Sequence, residues 1–511
     1  MISELERIDY ELKKNAKNGI GLKEFIYREK KEFEQSNRYK EMKIGDRYFA
    51  NDSDIQNKTR TYIEVDGSEK VAPHAKNFKL EHSIIYKLVM QKASFLLKQE
   101  PTIQQRDEEH KNESYSKEIS KVFNKRMHKR LKRTVIEAVN KGINWWYVYI
   151  DESGDLKVQL KYATKIIPLW ADDEHEVLDG IIMVYKLEQY TDTGKEDVIK
   201  IEFCNLEGIR YYVIDGDHLI EDVEEAEKHK KAFLRHDDEG TSIFGHFVLN
   251  DVAMVWKKIP YIYWKYNCNE LSLIHYLKSL VDCYNELTSR KADNIYEAPD
   301  GVNVIKNYSD DEEKFQTNLQ TINTIFIEGD GDYDRKKIEI DIEAFKVFIE
   351  QLRKDIYEAG FGVDTQSEKF GNQKSGIAIQ ELYADLDLDC SNIETEFQAS
   401  LEYFKFFIDN WLFIKTGQDY TDIELDFSFN KTMTVNEQEL IENCKNSVGI
   451  ISNKTIRSKH PFVTDLEKEE KQIAKEEQEA NEYAQAFAKL QNKDNNNNSK
   501  NNDEGIGNNE E

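Results

Sequence analysis

The sequence predicts an α+β protein, on three observations. Apolar residues recur at helical spacing up to Gly142 and again from Asn269. Between them, aromatic and β-branched residues crowd into short runs separated by Asp/Gly turns, the composition of strands. From Leu382 onward, Leu386, Cys390, Ile393, Phe397, Leu401, Phe404, Ile408 and Trp411 follow one helical face in steps of three and four. Ile377 to Trp411 would make a helix of about 50 Å at the usual rise. That length suits a radial spoke in a large ring better than a compact enzyme core.

In chain order, the opening is charged and helix-favouring, with Leu5, Ile8 and Leu12 as apolar positions. Pro73 and Pro101 bracket a second helix whose stripe is Leu80, Ile84, Leu88, Phe95 and Leu96. Residues 104–142 read as another helix, carrying Lys125, Arg126, Lys129, Arg130, Lys132 and Arg133. Strands are expected at 145–150, 156–162, 180–190, 198–204, 209–214 and 243–263, forming an antiparallel β-rich domain. Leu271, Ile274, Leu277, Val281, Tyr284 and Leu287 mark a helix to about Asn294, stopped by Pro299.

The texture changes again between Tyr296 and Ile342. A strand is expected at 302–305, then a short helix opened by the capping box Ser309-Asp310-Asp311-Glu312. Two more strands, 322–327 and 336–342, would be joined by the turn GDGD. Residues 343–357 form a helix with Phe345, Phe348, Ile349, Leu352 and Ile356 on one face. A glycine-bounded polar loop, 362–376, then feeds the long helix. It carries Lys369, Asn372, Gln373, Lys374 and Ser375, the last placed to cap that helix. IELDFSFN reads as a strand, 436–447 and 464–490 as helices, and the residues after Gln491 as a polar low-complexity tail.

A chain of 511 residues has room for several domains, and 33% charged residues require broad solvated or polar interfacial surface. Its net charge of −27 is the reverse of a DNA-gripping protein. An acidic wall repels phosphates and leaves a duplex mobile, so the charge permits a conduit. Cys204, Cys268, Cys283, Cys390 and Cys444 are scattered without a CxxC pair and read as reduced thiols of a cytosolic, non-membrane protein.

No P-loop, HExxH, GxSxG or Cys/His zinc spacing is present, and no cofactor is expected. Asp330-Gly-Asp332-Tyr-Asp334 starts like a calcium loop, but Arg335 stands where that loop needs Gly and Asp341 where it needs Glu. A structural turn is the better reading, and no metal ligands are assigned. His74, His82 and His275 have no partners at ligand spacing. The Lys125–Arg133 cluster reads either as one face of a mixed-charge helix, solvated or paired between subunits, or as a DNA contact.

Four segments resemble, in order, the portal proteins of long-tailed bacteriophages. YFANDSDI is similar to the family's Y-Y-x-G-x-x-x-I, with Ala50-Asn51 where glycine is common. NFKLEHSIIYKLVMQKASFLLKQEP resembles its N-x-k-x-x-x-x-y-x-x-l-v-x-q-K-x-x-Y-l-l-g-x-P, with Phe95 and Lys98-Gln99 departing from it. FGNQKSGIAIQELYADLDL resembles F-G-x-x-x-S-G-x-A-l-k-x-x-Y-x-x-L-d-l, and Ile451-Ser452, Thr455, Pro461, Val463 and Asp465 match I-S-x-x-T…P-x-V-x-D.

The resemblance implies a portal fold. Residues 1–268 would be a wing of helices followed by antiparallel strands, and 269–295 a first stem helix. Residues 296–342 would be a small α/β clip, 343–359 a second stem helix and 360–376 the tunnel loop. Residues 377–449 would be the tunnel-supporting helix with the rest of the wing, 450–490 a helical crown and 491–511 a disordered tail. It further implies a non-enzymatic homo-oligomeric ring of about twelve subunits at a capsid vertex. The ring would pass double-stranded DNA without sequence specificity and dock terminase and head-completion proteins. It would meet scaffolding and major capsid proteins, and no membrane. Lys369, Asn372, Gln373 and Lys374 would face the DNA, with no catalytic residues. The alternatives are a metal-dependent nuclease using clustered acids, or another phage scaffolding or interaction protein.

Overall fold

The computed structural model describes residues 21–63, 66–72, 75–107, 111–191, 194–297, 302–306, 332–336, 342–366, 376–431, 437–463, 466 and 468–482. Leu5, Ile8, Leu12, His74 and the expected elements at 309–312 and 322–327 lie outside them. The chain divides into two compact units, one of Met1–Ser367 with Tyr383–Thr432, the other of Glu368–Leu382 with Met433–Glu511.

The first unit begins with helices α1 (Leu22–Gln35) and α2 (Asn37–Phe49), followed by a hairpin of β1 (Thr61–Ile63) and β2 (Glu69–Val71). Between them Asn51 has φ +62°, the left-handed region that favours glycine. This is the position where the portal pattern carries glycine. Helix α3 (Ile84–Leu96) is shorter than its bracketing prolines, and Leu80 before it is exposed.

The single helix expected over 104–142 is instead a strand and two helices. β3 (Thr102–Gln105) is followed by α4 (Glu113–Val122) and α5 (Lys125–Lys141). Asn112 and Asn124 each cap the helix that follows, accepting from Tyr115 N and from Arg126 and Met127 N. These two asparagines are the breaks that the apolar spacing concealed.

Strands β4 (Ile143–Ile150), β5 (Leu156–Lys161), β6 (Ile166–Trp170), β7 (Leu178–Thr191), β8 (Gly194–Asn205), β9 (Gly208–Asp215) and β10 (His218–Glu221) come next. After the short helix α6 (Val223–Lys228) follow β11 (Phe233–His236), β12 (Ser242–Phe244), β13 (Phe247–Leu249), β14 (Val252–Met254) and β15 (Tyr261–Lys265). The run 243–263, expected as one strand, breaks because Asn250 and Asp251 take φ +49° and +60°, a two-residue hairpin turn pairing β13 with β14.

A seven-stranded antiparallel sheet has the order β11-β12-β9-β8-β7-β6, with β10 also on β9. Side chains of β7 alternate between two cores. Ile181 and Met183 join one with Trp145, Tyr261 and Met42, whereas Ile182 joins another with Ile26, Ile201 and Phe203. Both faces are covered, which is why this stretch reads as nearly continuous apolar residues. His246, between β12 and β13, is buried, with Nε2 donating to Asn205 O at the end of β8 and Nδ1 accepting from Trp256 N, each at 2.9 Å.

A three-stranded sheet, β15-β4-β5, carries the long helix α9 (Gly376–Thr416) on Trp146 and Trp264. Their rings lie 4.2 Å apart, with Phe404 and Phe397 edge-on to them at 5.8 and 4.9 Å. Leu386, Cys390, Ile393, Phe397, Leu401, Phe404, Ile408 and Trp411 are all buried, so the periodic face read from the sequence is the one that packs. Beyond α9, β18 (Leu425–Ser428) pairs with β3.

Helix α7 (Leu273–Glu297) packs on α8 (Ile342–Ala359), burying Leu277, Val281 and Tyr284 on one and Leu352, Ile356 and Tyr357 on the other. The stripe predicted for α8 is covered only over its last turns, and Phe348 is exposed. Helix α2 straps the start of α7: Arg38 pairs with Glu270, and Glu41 accepts from Ser272 and meets His275 Nδ1 at 3.0 Å. His82 Nδ1 lies 2.9 Å from Asn285 Oδ1.

Between the two helices, β16 (Val302–Lys306) pairs antiparallel with β17 (Asp332–Lys336), matching Val304 to Asp334 and Lys306 to Asp332. Of the strand expected at 336–342, Lys336 ends β17 and Ile342 opens α8, and residues 337–341 lie outside the described residues. Asp332 and Asp334 are therefore in an extended strand, which does not wrap round an ion as a calcium loop does. Asp330 and Asp341 are outside the described residues.

The second unit contains α10 (Glu437–Asn446) and α11 (Asn453–Lys459), with residues 468–482 also helical. Cys444 Sγ reaches Ile456 O at 3.8 Å. Ser452 caps α11 through Thr455 N at 3.2 Å, and its hydroxyl also meets Thr455 Oγ1 at 2.8 Å, which gives the Ser and Thr of the I-S-x-x-T pattern a local structural reason.

Candidate nucleic-acid interface

Lys369, Asn372, Gln373, Lys374 and Ser375 lie outside the described residues. The structure describes the start of the loop that carries them, residues 360–366, and that start is firmly held.

Helix α8 ends in a left-handed turn. Gly362 N bonds to Tyr357 O at 2.8 Å and Phe361 N to Glu358 O at 3.1 Å, the paired bonds of a Schellman cap. The residue in the left-handed position is Phe361, with φ +49°, where glycine is usual. A side chain there costs roughly 1–2 kcal/mol, so the surroundings must hold it. Gly360 and Gly362 flank it against Leu88: a Cβ on Gly360 would sit 2.8 Å from Leu88 Cδ1, and one on Gly362 would collide with Leu88 Cδ2. Glycine is needed at these two points for close approach.

Helix α3 supplies the grip. Gln91 bonds Val363 twice, Nε2 to its carbonyl at 2.7 Å and Oε1 from its amide at 3.1 Å. Lys92 is fully buried and donates to Gly360 O at 2.9 Å, with Phe361 O at 3.5 Å. Its third partner is Asp389 Oδ2 of α9 at 2.6 Å, and Tyr266 OH donates to the same carboxylate at 3.0 Å. Burial, then the adjacent Asp389, raises the Tyr266 hydroxyl's pKa well above its ordinary value. Burial likewise pushes Cys390 up to about 12, so the thiol stays protonated beside this charge pair.

From α8, Arg353 clasps Asp364 bidentately at 2.7 and 2.9 Å. Asp364 Oδ1 also accepts from Gln366 N at 3.1 Å. The Arg353 guanidinium holds the Asp364 carboxyl below the usual carboxylate range. Among the described residues no cluster of three or more His, Cys, Asp or Glu could hold a metal ion.

Lys92 was missed in the sequence, although a signal existed. Ile84, Leu88 and Phe95 leave one position of their stripe vacant at helical spacing, and Lys92 occupies it. A cation on an apolar face needs a buried anion, and nothing local to α3 shows that this is Asp389.

Residues 28–483 match the family model for phage portal proteins, SPP1 Gp6-like. The chain belongs to the phage portal proteins. Its branch is the SPP1 Gp6-like family. It is 28% identical over 451 residues to the portal protein of Bacillus phage SPP1, covering 87% of this chain and 85% of that one. It is 27% identical over 440 residues to the portal protein of Clostridium phage phiCD119, covering 83% and 90%. Among solved structures, a chain of the neck of an empty GTA particle computed with C6 symmetry aligns at 13% identity and TM-score 0.41, covering 74% of this chain and 89% of that one. Family membership supports the portal reading.

Proposed function

We propose that the chain forms a closed ring of about twelve copies at one capsid vertex, through which double-stranded DNA enters during packaging and leaves at ejection. Residues 1–268 and 377–449 would form the wing and its supporting helix. Helices within 269–295 and 343–359 would form the stem, and 450–490 the crown. Residues 296–342 would be the clip on which terminase and then head-completion proteins dock. Assembly would take place in the host cytoplasm with scaffolding and major capsid proteins, and the finished ring would stay in the virion. The protein itself would catalyse nothing, leaving ATP-driven chemistry to terminase.

In this reading residues 360–376 line the channel, and Lys369, Asn372, Gln373 and Lys374 touch phosphates through a few weak contacts. Sparse contacts let a duplex slide, whereas six to ten phosphate contacts would hold it. The observation that supports this role is the double grip of Gln91 on Val363 beside the buried Lys92. A loop that must bear on moving DNA needs a fixed base, and here that base is bonded through its main chain.

Deleting residues 366–373 tests the role while leaving Gln91, Lys92 and Arg353 in place. Rings should still form by electron microscopy, with DNA packaging or retention impaired. Normal packaging by this variant would sink the loop's role, and absence of rings from the intact protein would sink the conduit.

A further inference from the structure

Helix α5 runs against the charge pattern of the rest of the chain. The protein has 98 acidic against 71 basic residues, yet Lys125, Arg126, Lys129, Arg130 and Lys132 are paired with no carboxylate among the described residues. Their neighbours are paired: Lys121 with Glu118, Arg133 with Glu137, Lys157 with Asp151 and Asp155, and Lys415 with Asp155. The five also begin at the positive end of the helix dipole and repeat at i+3 and i+4, two arrangements that repel. Met127, Leu131, Val135 and Ala138 fill the buried face, while Lys125, Arg126 and Lys129 are exposed and Arg130 and Lys132 half-buried at its flanks. Nothing in folding favours such a stripe, and an anionic partner would offset it.

A cavity of about 390 Å³ opens beside the first turns of α5, lined by Arg126 and Arg130, by the paired Lys157 and Lys415 with their partner Asp155, by Glu118, and by Phe404 and Trp411. Burial pushes the Arg130 guanidinium below its ordinary pKa, as expected where a desolvated cation lacks a counter-charge.

We propose that the outer face of α5 and this cavity form a contact surface for the phosphodiester backbone of double-stranded DNA, separate from the loop of residues 360–376. Protein partners are anchored by aromatic and apolar residues and are depleted in Lys. None of the large exposed apolar residues lies on α4 or α5. A phosphate backbone needs only Lys and Arg, and is read without sequence preference. From Lys125 to Lys132 the helix rises about 10 Å, enough to face a few phosphates and too few to arrest a duplex. The choice of DNA over other polyanions rests on the portal reading, whereas the surface itself does not.

The test uses the intact chain and a 30-base-pair duplex of mixed sequence, with affinity followed by fluorescence anisotropy across a salt series. The variant Lys125→Gln/Arg126→Gln/Lys129→Gln/Arg130→Gln should bind at least tenfold more weakly at low salt. Its slope of log affinity against log salt should be shallower by about 3 to 4, since each lost contact removes about 0.9. Lys125→Arg/Lys129→Arg should bind as the wild type does, showing that charge is read. The variant lacking residues 366–373 should keep the α5-dependent difference, so the loop's role can fail without this surface failing. Unchanged affinity and slope in the quadruple variant would overturn the proposal, as would a wild type that does not bind duplex at any salt. Loss of rings with duplex binding intact would also overturn it, marking the face as a contact between copies.

Discussion

Lys92 Nζ lies 2.6 Å from Asp389 Oδ2, joining α3 to α9 across nearly 300 positions of sequence (|i−j| 297). The lysine is fully buried, and its ammonium is shared with the carbonyl that opens the loop. Removing one partner of such a pair strands the other charge, which matters more than the bond itself.

Lys92→Met should therefore destabilise the protein by about 3–5 kcal/mol, measured by urea denaturation. Lys92→Met/Asp389→Asn should recover at least half of that loss, because no unpaired charge stays buried and Tyr266 keeps its partner. With Asp389→Asn measured alone, a double loss equal to the sum of the two single losses would show that the pair is not coupled.

Phe361 predicts the opposite sign. Phe361→Gly removes a side chain from a left-handed position and should raise stability by about 1 kcal/mol. Denaturant midpoints compare the two proteins, and a loss would mean that the ring's contacts outweigh the backbone strain.

Gly362→Ala should cost about 1–3 kcal/mol, because its methyl would meet Leu88 in a packed site. In a Leu88→Ala background the same change should cost clearly less. Additive effects would place the clash elsewhere.

His246 should make stability depend on pH. Burial lowers its pKa to about 4, against about 6.5 in the unfolded chain. The folded state then binds fewer protons than the unfolded one between these values. Its contribution is complete above about pH 6.5 and is lost as pH falls toward 4, up to about 3 kcal/mol. Subtracting the stability–pH curve of His246→Gln from that of the wild type should isolate this window, and a flat difference would refute it.

Elements with a long, unbroken period were legible in the sequence. The helix read from Ile377 to Trp411 runs from Gly376 to Thr416, and its stripe is buried, with Phe397 and Phe404 on the tryptophans of the three-stranded sheet and Cys390 against α3. Where capping decided the boundary, periodicity misled, as Asn112 and Asn124 show. The candidate site was legible only as a loop with polar residues. Its fixed base depends on Lys92, Asp389, Tyr266 and Leu88, which meet through folding and share no local pattern. Phe361 was the least readable, since glycine and not phenylalanine signals a left-handed turn.

The hold that α3 keeps on residues 360–363 has a consequence for how this segment can change. Gln91 and Lys92 bond to carbonyls and an amide of the main chain, which every residue carries. They constrain the backbone path and the two close-packed glycines, but they are indifferent to the side chains further along. The mount and the part it carries are thus separable. Substitutions or length changes beyond Asp364 can accumulate without loosening the fitting, so this stretch can be exchanged between relatives like a tool in a common chuck.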